Sequence, residues 1–197
     1  MIRIDEWVEV LEMGSLVELE NQRLKGDELV WGNQGRNFRE AWVAVNFAIP
    51  FGGSHICLPK LDSKGPDFLV KRDDIDHAFQ TVEVLSTNRR RGAEVWTDEP
   101  KHVSQDEMEA AFQDIPAALN RAVRNKLGKY DKNTLSLVMY FNTNAFVFED
   151  QRPQVERWIL EETKPCLTEF ISVFILWGGL IFQRCINDNL THIDLRS

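Results

Sequence analysis

Two acidic residues lie in short apolar segments that a hairpin could bring together. Asp67 follows Pro66 at the start of one predicted strand, and Glu83 stands in the middle of the next, within residues 79–85. A carboxylate inside such an apolar segment must face solvent or find a polar partner. Because Mg²⁺ prefers oxygen ligands and keeps several waters, a few carboxylates are enough to hold it. Asp67 and Glu83 are therefore candidate metal ligands, and a plain strand-start residue is the alternative for Asp67.

Two further residues could take part in chemistry. The apolar residues between Phe38 and Ile49 recur at helical spacing, and Glu40 lies beside Ala44 on one flank of that predicted helix. An exposed helix position is the alternative for Glu40. Lys126 falls on the apolar stripe of a second predicted helix. A lysine there either reaches a polar pocket or extends its amine to solvent.

Alternating helices and strands must position these residues. The predicted helices are 4–11, 15–24, 38–49, 104–115, 116–130 and 154–162. The predicted strands are 55–58, 67–71, 79–85, 135–141 and 191–195, with a hairpin within 170–182. Capping boxes at Ser15 with Glu18 and at Ser104 with Glu107 begin two of the helices. Pro116 interrupts one helix and begins the next.

Length and composition predict one domain, residues 1–197. Of the 197 residues 43% are hydrophobic, so the chain can bury one substantial core. We expect a helical lead-in at 1–33, a core at 34–142 and an extension at 143–197. Three cysteines without disulfide or metal-ligand spacing argue for reduced thiols. No basic and apolar leader is visible, and 170–182 is shorter than the ~20 residues of a membrane span, so we expect a cytoplasmic protein without a membrane partner.

Net charge restricts the way in which the chain could bind nucleic acid. A formal net charge of -8 argues against a protein that coats nucleic acid by bulk charge. It leaves room for an enzyme with a local basic strip. Such a strip is offered by Arg89, Arg90, Arg91, Arg121, Arg124, Lys126, Lys129 and Lys132. The arginines at 89–91 suit phosphate binding, and a solvated loop is their alternative interpretation.

Four short motifs follow one another in a fixed order. They are Gly65-Pro66-Asp67-Phe68, Val82-Glu83-Val84, the helix end at 122–130 and the strand at 135–140. In this order they resemble the PD-(D/E)xK, or restriction-endonuclease-like, nuclease superfamily. The arginine-rich continuation 85–92 is similar to small bacterial members of unassigned role. The resemblance covers about residues 34–142 and implies an α/β fold, a central mixed β-sheet flanked by helices, with a helical lead-in before it and a β-hairpin after it.

The resemblance also implies a cofactor and a site. Mg²⁺ or Mn²⁺ would be bound by Asp67 and Glu83, Val84 would add its main-chain carbonyl, and Glu40 would be the glutamate of the preceding helix. Nucleic acid, DNA or RNA, would be the partner. Members of the superfamily carry a lysine two residues after the second acid, and here that residue is Leu85.

The missing lysine leaves two functions open. In a metal-dependent nuclease, water activated at the metal attacks a phosphodiester, Lys126 or an arginine steadies the charge, and residues 89–91 hold backbone phosphates. Thr81, on the same strand face as Glu83, could also position water. The alternative is a catalytically inactive descendant of the fold that serves as a binding or regulatory module. The apolar C-terminal hairpin can pack on the core or on a second copy, so a homodimer stays open.

Overall fold

The computed structural model describes residues 1–23, 32–60, 65–87, 103–142, 147–177, 180–185 and 190–194. Helices and a mixed β-sheet make up an α/β fold. The chain packs as two compact units. The first contains the described residues up to Thr81, and the second contains those from Val82 onward.

Helices and strands alternate along the described residues. The α-helices are α1 (Val10–Arg23), α2 (Gly32–Phe51), α3 (Gln105–Gln113), α4 (Ile115–Arg124) and α5 (Arg152–Thr163), which a 3-10 helix continues over Lys164–Thr168. The strands are β1 (Trp7–Glu9), β2 (His55–Cys57), β3 (Phe68–Arg72), β4 (Ile75–Leu85), β5 (Ser136–Asn142), β6 (Ser172–Trp177), β7 (Leu180–Cys185) and β8 (Leu190–Asp194). None of these helices has the length and apolar character needed to cross a membrane.

The strands of the first unit are antiparallel throughout. β1 pairs with β2, β2 with β3, and β3 with β4. The register aligns Val8, Ile56 and Val70 across the first three strands. Successive side chains of a strand point to opposite faces of a sheet. Because these three residues are at most 1% exposed, one face of this sheet carries the core of the unit.

Helix α2 packs against this sheet through aromatic side chains. The ring of Phe47 lies edge-on to those of Phe68 and Phe79, with centroids 5.9 and 4.7 Å apart. All three residues are almost fully buried. Such edge-to-face packing is favoured by the quadrupoles of the rings, in addition to the apolar area they bury. The α2 helix is therefore fixed along the face opposite its exposed Trp42 and Ile49.

A tight turn joins β3 to β4. Asp73 and Asp74 both have left-handed backbone, with φ of 52° and 60°. Two successive left-handed residues give a hairpin turn whose twist matches that of the strands. The turn sets Phe68 opposite Phe79. It thereby brings Asp67, the residue before β3, beside β4.

The second unit combines parallel and antiparallel pairing. β5 runs parallel to β6, with Leu137 opposite Val173. Parallel strands need a long crossover, and α5 lies in this connection. β6, β7 and β8 follow as antiparallel neighbours. Helices α4 and α5 pack on each other, and the amide nitrogen of Asn120 donates to Glu162 Oε2 at 2.8 Å.

Most predicted elements are confirmed. α2, the strands β2 to β5, α5 and the β6–β7 hairpin occur at the predicted places, although several bounds differ by a few residues. The second capping box is present as well. Ser104 Oγ accepts a hydrogen bond from the Glu107 backbone, and the Glu107 carboxylate accepts one from the Ser104 backbone. Pro116 lies in the first turn of α4.

The prediction of two N-terminal helices is wrong. Residues 7–9 form β1, in which Val8 pairs with Ile56. A single helix, α1, then follows. Ser15 lies inside that helix, where its hydroxyl donates to the Leu11 carbonyl oxygen at 3.1 Å. Residues 7–9 are extended because they pair with β2, which is distant in sequence. This pairing outweighs the helical spacing of their apolar side chains.

The helix predicted over 116–130 also extends beyond the observed end of α4. The helix ends at Arg124, and Lys126 lies in the turn that follows. Gly128 has φ of 74°, a conformation that favours glycine, and such residues commonly end helices. Its N–H donates to both carboxylate oxygens of Glu169, at 3.0 and 2.8 Å. Lys126 is therefore not part of a helical apolar stripe.

Each unit contains one buried free thiol among the described side chains. Cys57 lies in the first unit and Cys166 in the second. Burial, together with the negative charges of Asp5 and Asp76, raises the pKa of the Cys57 thiol. Both cysteines are consistent with the expected reduced state.

Candidate functional site

Asp67 is held by the strand beside it. Its Oδ2 accepts a hydrogen bond from the Thr81 backbone at 2.7 Å and another from the Thr81 hydroxyl at 2.9 Å. Its own N–H donates to the Phe79 carbonyl oxygen at 2.8 Å. The Asp67 side chain is only 11% exposed. The β3–β4 hairpin thus fixes both the main chain and the carboxylate of Asp67.

Glu40 and Asp67 meet at one arginine. Glu40 lies on α2 and is 8% exposed, so the alternative of an ordinary exposed acid is wrong. Arg36, one turn earlier on α2, donates from Nε to Glu40 Oε1 at 2.7 Å. The Nη2 atom of Arg36 lies 3.6 Å from Asp67 Oδ1. We call Glu40 and Asp67, joined in this way, the acidic pair.

Burial and the neighbouring charges have opposite effects on the pKa of Glu40. Burial is the largest effect on Glu40 and raises the pKa of its carboxyl, and the negative charge of Asp67 raises it further. The hydrogen bond and the positive charge of Arg36 act in the opposite direction. Two carboxylates in one partly desolvated place repel each other unless a cation accompanies them. Arg36 supplies that cation in this structure.

The two carboxylates of the acidic pair are of the chemical kind that could hold a hard divalent cation. Mg²⁺ is commonly bound through one or two carboxylates and several waters. One oxygen of Glu40 accepts from Arg36, and a carboxylate offers two oxygens with two lone pairs each. No group of three or more acidic, histidine or cysteine side chains suited to a metal occurs in the described part of the chain. Glu40 and Asp67 would therefore hold such an ion with water as the remaining ligands.

Glu83 has a different partner. It belongs to the second unit, and its Oε1 accepts from the side-chain amide of Asn142 on β5 at 2.7 Å. Val84, the next residue, is fully buried. Asp67 belongs to the first unit, so the predicted pairing of Asp67 with Glu83 and the Val84 carbonyl stays a prediction.

Lys126 lies in the turn that follows α4. The Lys126 amine donates to the Tyr130 hydroxyl at 3.1 Å and lies over the same ring, 5.4 Å from its centroid. This contact explains how a half-buried lysine is tolerated. Arg89, Arg90 and Arg91 lie outside the described residues, so their role in phosphate binding stays a prediction.

A second cluster fastens the end of β4. Asp114, between α3 and α4, accepts from the Thr87 backbone at 2.6 Å and from the Thr87 hydroxyl at 2.7 Å. Arg121 donates from Nη2 to Asp114 Oδ2 at 3.1 Å and to the Leu85 carbonyl oxygen at 3.0 Å. Burial opposes ionisation of Asp114 as the largest single effect, but these hydrogen bonds together lower its pKa. Leu85 thus contributes its main chain to a structural contact.

Arg36 and Asn142 are the polar partners that the sequence did not reveal. The spacing of Arg36 and Glu40 by four residues is a familiar helix ion pair, which alone indicates a solvated helix face. Only the packing of α2 beside β3 brings Asp67 to the same guanidinium. Chemically, the site can bind a divalent cation or an anion beside Arg36. Comparison of the chain with protein-family models, with curated proteins and with solved structures finds no match.

Proposed function

We propose that this protein is a Mg²⁺- or Mn²⁺-dependent nuclease that hydrolyses phosphodiester bonds of DNA or RNA. The acidic pair is the observation that carries the proposal. Glu40 and Asp67 come from different elements, are nearly buried, and share one guanidinium. Uncompensated burial of like charges is costly. Two buried carboxylates beside the half-exposed guanidinium of Arg36 suit the binding of a metal ion and a phosphate.

The proposed core is restriction-endonuclease-like. Its support is the chain order of α2, the strands β2 to β4, α4 and β5, which matches the order of helix, strands, helix and strand in the resemblance. Asp67 comes directly before β3, and Glu40 lies on the preceding helix. These are the places that the resemblance implies for the first acid and for the helix glutamate.

Phosphodiester hydrolysis joins a water oxygen to phosphorus and breaks the bond from phosphorus to one sugar oxygen. One water proton passes to solvent, and the departing sugar oxygen takes a proton from solvent, so the products are a phosphate monoester and an alcohol. A bound Mg²⁺ would lower the pKa of water and neutralise phosphoryl charge. Glu40 and Asp67 would hold that ion. Thr81 would keep the Asp67 carboxylate in a single orientation, as outer partners of metal ligands do.

Several parts of this proposal rest on the sequence alone. Glu83 and the Val84 carbonyl remain predicted ligands, Lys126 a predicted charge partner, and residues 89–91 predicted phosphate contacts. A cytoplasmic location belongs to the proposal in the same way. Glu83→Gln, assayed beside the acidic-pair variants described next, tests the second acid.

Metal binding provides the direct test. We expect titration calorimetry to show binding of Mg²⁺ and Mn²⁺ to the native chain. Asp67→Asn and Glu40→Gln each remove a carboxylate and should weaken that binding at least about tenfold, the lower end of losses measured for outer partners of metal ligands. Glu18→Gln changes an exposed acid of α1 and serves as the matched control. Cleavage of single-stranded DNA, duplex DNA and RNA should fall in the same two variants.

The nuclease proposal fails if the native chain binds neither metal and cleaves none of the three substrates. It also fails if both acidic-pair variants cleave at the native rate. Thermal unfolding of each variant shows whether a lost activity reflects a lost fold.

A catalytically inactive binding module is the second candidate. Arg36 already offsets one of the two negative charges of the acidic pair, and Leu85 replaces the lysine of the superfamily pattern. A protein of this kind would bind an oligonucleotide equally well with a chelator and with Mg²⁺, and would leave it intact. Fluorescence anisotropy of a labelled oligonucleotide in both conditions separates this function from the first.

A further inference from the structure

A phosphodiester hydrolase needs positive charge on the transferring phosphoryl group in addition to its metal. Leu85 cannot supply it. Lys126, the substitute that helical periodicity favours, lies beyond the end of α4 and donates its amine to Tyr130. The candidate cation must therefore be sought among residues that contact the acidic pair.

Arg36 has that contact. Its Nε is 2.7 Å from Glu40 Oε1, a short charge-assisted hydrogen bond. Its Nη2 is 3.6 Å from Asp67 Oδ1, which is an ion pair longer than a hydrogen bond. The Arg36 side chain is 45% exposed, whereas those of Glu40 and Asp67 are 10% and 11% exposed. The guanidinium therefore reaches from the buried carboxylates to solvent.

The chemistry of the guanidinium suits a phosphate. It is a planar fork of five N–H donors that binds phosphate oxygens in pairs, and it stays charged at any relevant pH. The Nε contact with Glu40 fixes the plane of the fork. Nη2 lies at the longer distance of 3.6 Å from Asp67 Oδ1, on a side chain that is 45% exposed.

We propose that Arg36 binds the phosphoryl oxygens of the substrate and supplies the positive charge that the lysine at the position of Leu85 would otherwise supply. This inference rests on the proposed nuclease function and names the residue that completes its site. Glu40 is then a positioning residue for Arg36 through Oε1, in addition to its part in holding the metal.

Binding without chemistry is the first test. The native chain, Arg36→Ala and Arg36→Lys are titrated with a short single-stranded oligonucleotide in Ca²⁺, by fluorescence anisotropy. We expect Arg36→Ala to lose about tenfold in affinity, the value of one charged hydrogen bond, and Arg36→Lys to lose less. Arg3→Ala is the matched control, because Arg3 is 46% exposed and its Nη2 lies 2.7 Å from Glu12. Its affinity should equal that of the native chain.

Cleavage in Mg²⁺ is the second test. We expect Arg36→Ala to lower kcat about 100-fold, as removal of one group that stabilises transition-state charge does. Added guanidinium ion at millimolar concentration should restore part of the rate to Arg36→Ala and leave Arg3→Ala unchanged. Mg²⁺ affinity by calorimetry should stay at the native value or rise, because Arg36 competes with the metal for Glu40 and Asp67.

The outcomes separate this inference from the function it rests on. Native-level cleavage and oligonucleotide affinity in a folded Arg36→Ala overturn the role of Arg36 and leave the nuclease proposal standing. Loss of Mg²⁺ binding in Arg36→Ala and in Arg36→Lys alike shows a merely structural role and also overturns it. A native chain that never cleaves overturns the nuclease proposal, whereas the oligonucleotide titration still decides whether Arg36 binds phosphate.

Discussion

Single residues of this protein hold their charges through short, local contacts. The Asp67 carboxylate lies between the Thr81 donors and the guanidinium of Arg36. Glu40 contacts the same guanidinium, and burial raises the pKa of its carboxyl. Burial therefore disfavours the charged form of Glu40, and the contact with Arg36 opposes this effect.

Asp114 allows a test of charge and stability away from the acidic pair. Its folded-state pKa is lowered, since hydrogen bonds from Thr87 and Arg121 together outweigh burial. A lowered folded pKa stabilises the protein above the unfolded pKa of about 3.9. That contribution is lost as the pH falls through the folded pKa. We expect Asp114→Asn to lower the free energy of unfolding by about 1–3 kcal/mol at pH 7 and by much less at pH 3.

Urea unfolding of the native chain and Asp114→Asn at several pH values measures this difference. Asp131→Asn changes an exposed acid and should give no pH-dependent difference. A difference for Asp114→Asn that stays constant from pH 7 to pH 3 would contradict the assigned ionic role.

At the scale of elements, the connection from α2 to β2 runs close to β3. Gly53 follows α2, and its N–H donates to the Ala48 carbonyl oxygen at 2.8 Å. A Cβ at Gly53 would overlap Val70 Cγ1 and lie 3.3 Å from Ala48. The backbone of this connection can approach β3 so closely only because the residue has no side chain.

We therefore expect Gly53→Ala to lower the free energy of unfolding by about 1–3 kcal/mol, the usual cost of overpacking. Gly14→Ala, at an α1 position where the nearest contact would be an ordinary 3.6 Å to Val45, should be neutral or stabilising. Thermal unfolding of the two variants provides the comparison. Equal stability of Gly53→Ala and the native chain would show that α2 can move away from β3.

Local patterns in the sequence predict those elements that local contacts decide. The Ser104 capping box and the start of α4 at Pro116 are examples, because both depend on neighbouring residues. The three-residue strand β1 could not be predicted, since its conformation depends on pairing with β2. The end of α4 depends on Glu169, which is distant in sequence, binding the Gly128 N–H.

The residues of the candidate site also differ in whether the sequence alone could identify them. Asp67 and Glu40 could be selected from the sequence, because one begins a strand after a turn and the other lies on the flank of an apolar helix. Arg36 could not be selected, because its ordinary spacing from Glu40 says nothing of Asp67. Helical periodicity favours Lys126, but α4 ends at Arg124 and Lys126 lies in the turn that follows.

For the whole molecule, the net charge is negative, but positive side chains are concentrated in one stretch of the chain. The formal net charge is -8, whereas residues 121–132 contain five cations and one acid, Asp131. We call this stretch the basic segment. Its Arg124, Lys129 and Lys132 are exposed, and the bond from Gly128 to Glu169 fixes the backbone between them. If the proposed function holds, the basic segment is expected to contact the nucleic-acid backbone.

Salt dependence tests this use of the basic segment. Replacement of Arg124, Lys129 and Lys132 by glutamine removes three charges, so the slope of log affinity against log salt for single-stranded DNA should fall in magnitude by about 2. Anisotropy titrations from low to physiological salt measure the slope. Lys60→Gln, an exposed lysine of the first unit, should leave it unchanged. An unchanged slope in the triple variant would exclude the basic segment from nucleic-acid contact.

The two buried thiols have a use beyond packing. Cys57 lies in the first unit and Cys166 in the second, and neither can be alkylated while it is enclosed. Each therefore reports when its own surroundings open. In a Cys185→Ser variant, the alkylation rates of Cys57 and Cys166 measure how often the surroundings of each thiol open. Equal alkylation rates would show that the two units unfold cooperatively. Different rates would show that each unit opens independently.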